Sequence, residues 1–134
     1  MNKVAPKSAR PIPPPSQGRI LYAENDTNVV TAQSKTFTHA GYIVERAIGR
    51  PAAEQALRNG HYDAVVLGHT LSKDDRHHLP YMAKKANPHI AVLVLHASGK
   101  HPAVDYAIDS RQGDDAVLRA LKSVIQQKAL AAAS

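Results

Sequence analysis

From Arg19 onward the chain alternates short apolar runs with segments of helical period, and this alternation limits its fold more than any other feature. Ile20-Leu21-Tyr22-Ala23 is a short apolar run ending in polar Glu24-Asn25-Asp26, as a buried strand does where it leaves a sheet. Asp26 or Thr27 suits the cap of a helix that turns Val29, Val30, Phe37 and Ala40 inward, and Gly41 stops it. Tyr42–Glu45 reads as a second strand, and Pro51 and Gly60 bracket a helix over Ala52–Asn59. Ala64–Leu67 reads as a third strand. The helix after it is capped by Ser72, Asp74 or Asp75 and reaches about Ala86, with Pro80 inside its early turns. Asn87-Pro88 breaks the chain before the most apolar run, Ile90–Leu95, and Val104–Ile108 is a weaker fifth strand. The last helix starts near Asp114 and puts Val117, Leu118, Leu121, Val124 and Ile125 on one face. Such alternation builds right-handed crossovers and a parallel sheet covered on both faces. The expected fold is therefore α/β, a doubly wound five-stranded parallel sheet.

Composition separates this body from its ends. Residues 1–18 hold Pro6, Pro11, Pro13, Pro14 and Pro15, which favour extended backbone over helix or central strand. They are expected to form a flexible, basic leader to a domain over residues 19–128, with residues 129–134 as a frayed helical end. The net charge is +6, yet Lys3, Lys7, Arg10 and Arg19 lie in a stretch with no acid. The body is only mildly basic, so a nucleic-acid-binding face is not indicated. One Phe, no Trp and five Tyr offer no stacking platform for bases. The absence of cysteine excludes disulfides and thiolate sites. No apolar run approaches the roughly 18–20 residues of a membrane span. The N-terminus lacks a signal-type apolar region, so a cytoplasmic protein is expected.

Several short pieces, in order, carry a resemblance. They are Ile20-Leu21-Tyr22-Ala23-Glu24-Asn25-Asp26, Gly41-Tyr42-Ile43-Val44, Ala53-Glu54-Gln55-Ala56-Leu57, Tyr62-Asp63-Ala64-Val65-Val66-Leu67 and Asp105-Tyr106-Ala107. Together they resemble the receiver domain of two-component response regulators over about Arg19 to Gln126, which implies a receiver or flavodoxin-like sheet. The resemblance also implies a phosphorylation site of five positions. Two acids after the first strand hold Mg²⁺ and an aspartate after the third takes the phosphoryl group. A Ser or Thr after the fourth strand and a Lys after the fifth contact that group. Here Glu24 keeps one acid, Asn25 replaces the second, Gly68 removes the phosphoacceptor, His96 replaces the hydroxyl and Asp109 reverses the lysine's charge. Glycine has no side chain to carry an acyl phosphate. Tyr106 takes the place of the switching aromatic and is expected to pack over a shortened loop. His96 and Asp109 are too close in sequence for a full helix between them, so the fourth helix is expected to be shortened or absent.

Other chemistry is poorly supported. Asp74 and Asp75 read as helix-capping acids rather than a substitute acceptor. His69, His77, His78 and His96 lack the spacing of a metal-binding set, so no metal or other cofactor is expected. Ser98-Gly99-Lys100 lacks the other residues of a phosphate-binding loop. The resemblance with these departures implies an atypical receiver that is not an enzyme. It would be a bacterial-type signalling module that binds a protein partner without joining a phosphorelay, with a homodimer as one candidate assembly. The alternative is a small-ligand sensor whose crevice, enlarged at Gly68, is lined by His69, His96, Glu24, Asn25 and Asp109.

Overall fold

The computed structural model describes residues 17–95 and 101–133. Residues 1–16 of the expected leader, His96, residues 97–100 and Ser134 lie outside the described residues. The chain runs β1 (Gly18–Glu24), α1 (Thr27–His39), β2 (Tyr42–Ile48), α2 (Arg50–Asn59), β3 (Ala64–Leu67), α3 (Lys73–Ala86), β4 (Ala91–Leu95), β5 (Tyr106–Ile108), a short 3₁₀ turn (Ser110–Gln112) and α4 (Asp114–Ala133). All strand pairs are parallel and the order is β2-β1-β3-β4-β5. This is the doubly wound order that places a crevice at the carboxyl ends of the central strands.

Local chemistry explains the boundaries. Asp26 Oδ1 caps α1 by accepting the Asn28 and Val29 N–H groups at 2.8 and 3.2 Å. Ser72 Oγ caps α3 by accepting the Asp75 N–H at 3.1 Å. Pro80 lies inside α3 and is buried, so packing holds the helix through the missing N–H. β2 runs past Glu45 to Ile48 because all seven of its residues pair with β1. β5 starts only at Tyr106, because Val104 donates its N–H to His101 O in a turn at 3.1 Å.

The strands' period of two splits the core into two layers. Ile20, Tyr22, Val66 and Leu93 face α1 and α4, where they meet Val30, Phe37, Val117, Leu121 and Val124. Leu21, Ala23, Val65, Leu67 and Val94 face α2 and α3, where they meet Ala53, Leu57, Leu79 and Ala83. Among the described residues no helix lies between β4 and β5. His101 instead ties this connection to α3. Its ring packs on those of His77 and Tyr81, each with centroids 4.7 Å away, and Nε2 lies 2.7 Å from His77 O.

Asp105 secures the base of the shortened connection. Its Oδ2 accepts the Val92 N–H and a Lys84 Nζ proton, both at 2.7 Å, and Lys128 Nζ is 2.9 Å from Oδ1. One carboxylate thus joins α3, β4 and α4. Burial pushes its pKa up, but the hydrogen bonds from Lys84, Lys128 and the Val92 amide outweigh burial and hold the carboxyl below its usual range. A group with a depressed folded pKa contributes stability above its unfolded pKa and loses it as pH falls through the folded value. Asp105→Asn should therefore cost about 1–3 kcal/mol in urea unfolding at neutral pH. The gap between variant and wild type should narrow as pH falls from about 5 to about 2. A gap constant over that range would rule out the ionised carboxylate as its source.

Candidate functional site

β1 and β3 are neighbours, so Glu24 and Gly68 reach the carboxyl edge side by side, and the Gly68 N–H bonds Ala23 O at 2.9 Å. Glu24 is not presented to solvent. It has no exposed surface, and its carboxylate lies over Gly68. An ideal Cβ on Gly68 would stand 1.8 Å from Glu24 Cδ and 1.9 and 2.1 Å from the two carboxylate oxygens. Gly68 is not one of the positive-φ glycines, so space rather than backbone conformation demands glycine here. The position expected to be vacant, and to enlarge a crevice, is filled by Glu24.

Among the described residues, Glu24 only accepts hydrogen bonds. The Tyr22 hydroxyl donates to Oε2. The Thr70 N–H and hydroxyl donate to Oε1 at 2.9 and 2.6 Å. Thr70 Oγ1 also accepts the Asn25 and Asp26 N–H groups at 2.8 and 3.1 Å, which leaves its own proton to point at Glu24. The chain Asn25–Thr70–Glu24–Tyr22 therefore ties the β1–α1 loop to the β3–α3 loop through the interior. Tyr22 is seated edge-on against Phe37, with centroids 5.3 Å apart. Burial, then the hydrogen bond to Glu24 and its negative charge, push the Tyr22 phenol far above its usual pKa. It remains a donor throughout the accessible pH range.

The other positions are arranged around this bond network. Asn25 is exposed and Asp26 is spent on its helix cap. His69 Nδ1 is 4.0 Å from Glu24 Oε2 at the mouth of the site, and its side chain is 44% exposed. Asp109 does not reach across toward Gly68 as a free charge. It holds Arg111 through a two-pronged contact, with Nε 3.0 Å from both oxygens and Nη2 2.6 Å from Oδ2. Asp74 and Asp75 occupy the first turn of α3. Tyr106 is half exposed and lines a groove of about 330 Å³ with Ile108, Ala116, Arg119 and Ala120. The sequence reading singled out Glu24 and Gly68 but overlooked Tyr22 and Thr70. Tyr22 carried a signal, because residues two apart on a strand share a face. Thr70 carried none, since its role depends on the approach of two loops.

No protein-family model matches the chain, and no curated protein matches it in sequence. Solved structures do match. A response-regulator receiver protein from Sinorhizobium medicae is similar with a TM-score of 0.72 at 18% identity, over 82% of this chain and 95% of that one. The signal receiver domain of an HD-domain-containing protein from Pseudomonas fluorescens gives a TM-score of 0.73 at 14% identity, over 89% and 94%. The receiver domain of a sensor histidine kinase from Pseudomonas aeruginosa, with magnesium coordinated in its active-site cleft, gives 0.69 at 15% identity, over 81% and 98%. The likeness is one of fold: the chain has the response-regulator receiver fold. No helix of the described residues is long and apolar enough to cross a membrane.

Magnesium, present in one of these structures, does not fit the residues here. The ion needs a near-octahedral set of oxygens at about 2.0–2.1 Å. Glu24 is turned inward and engaged by three donors, Asp26 caps α1, and position 68 has no side chain. Among the described residues no three His, Asp or Glu side chains converge on a point that would hold a metal.

Proposed function

We propose that this chain is a non-phosphorylatable pseudo-receiver that binds a protein partner in cytoplasmic signal transduction, independently of phosphotransfer. The observation that supports this reading is the buried Glu24 carboxylate seated over Gly68. The usual acceptor is missing, and its volume holds an oxygen pair already engaged by Tyr22 and Thr70. A buried, hydrogen-bonded carboxylate of this kind is a structural anchor, not an exposed nucleophile. What remains to the domain is its surface. The ligand-sensor alternative needs room above Gly68, and Glu24 occupies that room.

Incubation with acetyl phosphate and Mg²⁺, followed by intact-mass spectrometry, tests the reading directly. No phosphoryl adduct is expected, and calorimetry should show no sub-millimolar Mg²⁺ binding. A stoichiometric adduct on any carboxylate would overturn the proposal.

A further inference from the structure

The sheet ends at β2, which pairs with β1 along its whole length and, among the described residues, with nothing on its other side. An open strand edge presents unpaired N–H and C=O groups to any extended chain that fits beside it. The flank of this edge is a groove of about 320 Å³ between α1 and β2, lined by Thr31, Lys35, Thr38 and His39 from the helix and Val44 and Arg46 from the strand. No acid lines it, and α1 contains none. Lys35 and Arg46 are exposed and make no hydrogen bond or ion pair among the described residues. By contrast Arg19, Arg50, Lys84, Arg111 and Lys128 are each paired with a carboxylate. On the strand's opposite face Ile43 is 55% exposed.

We propose that this edge receives an extended acidic segment of a partner protein, which adds to β2 as a further strand. The proposal rests on the protein-binding reading above and names the chemistry of the partner. Side chains of a strand alternate between faces. Val44 and Arg46 lie on the α1 face of β2, and Ile43 lies on the other. The fitting segment therefore carries acids at every second position, facing Lys35 and Arg46, with apolar residues between them covering Ile43. Backbone pairing supplies the affinity of such additions, and the charges set orientation and encounter rate. Cations on an edge can also serve only to ward off aggregation, in which case the edge binds no such segment.

The test titrates a capped eight-residue peptide of alternating Glu and Val into the isotope-labelled full chain, followed by NMR. Amide shifts should change only along 31–39 and 42–48. Lys35→Ala combined with Arg46→Ala should weaken binding at least about tenfold. Methylating alternate peptide nitrogens on the pairing edge should abolish it. Neither side chain is bonded to the described residues, so the double variant should melt at the wild-type temperature. The proposal is overturned by no binding, by shifts centred elsewhere, by indifference to the double variant, or by equal binding of a Lys–Val peptide. None of these outcomes bears on the acetyl phosphate experiment, so this proposal can fail while the reading of a site without phosphotransfer stands.

Discussion

Gly68→Ala should lower the melting temperature by more than about 10 °C, although alanine is the smallest side chain that can be added. The new Cβ would stand 1.8 Å from Glu24 Cδ, far inside van der Waals contact. β3 cannot retreat, since it pairs with β1 on one side and β4 on the other. The carboxylate must therefore leave, and with it the acceptor of the Tyr22 and Thr70 protons. Overpacking alone costs about 1–3 kcal/mol, and each stranded buried donor adds about 1–3. A loss of about 3 kcal/mol or more is expected. Gly68→Asp should be worse, because it forces a second carboxylate against the first, and like charges at short range disfavour ionisation of both. Restoring the aspartate should thus yield an unstable protein that takes no phosphoryl group from acetyl phosphate. If Gly68→Asp melts at the wild-type temperature and is phosphorylated, Glu24 does not hold the position assigned to it.

Much of the fold was legible because its signals are local. β1, β3 and β4 are continuous apolar runs since both faces of a central parallel strand are covered, and all their apolar residues from Ile20 onward are buried. Asp26 and Ser72 announce their helices because capping involves only neighbouring residues. β5 is shorter than the run Val104–Ile108 suggests, because its start depends on a turn at His101 and on Asp105, whose partners Lys84 and Lys128 lie far away in sequence. The site was half legible. A glycine where the resemblance requires an aspartate is visible in the chain, and so is the acid at the end of β1. That the acid turns inward to fill the glycine's volume was not visible. An acid following an apolar strand reads as a solvated edge residue, and only the pairing of β1 with β3 brings Glu24 over Gly68.

The dependence of these two residues on each other gives the last prediction. Glu24→Ala should itself destabilise by about 3 kcal/mol or more, since it strands the Tyr22 and Thr70 hydroxyls and opens a cavity above Gly68. Glu24→Gln should be milder, because its amide oxygen can keep both Thr70 bonds and its nitrogen can donate to the Tyr22 oxygen, which leaves only the Tyr22 proton without its acceptor. In the double variant Glu24→Ala, Gly68→Ala, the added methyl enters space the glutamate has vacated and meets no carboxylate. The second substitution should then cost little or even recover some stability. The two single losses will not add, and the coupling should be at least about 2 kcal/mol, near the upper part of the range for residues in contact. Urea unfolding of the four proteins measures it. Additive losses would mean that the carboxylate and the glycine do not share one volume, and the account of a filled phosphoacceptor position would fall with that result.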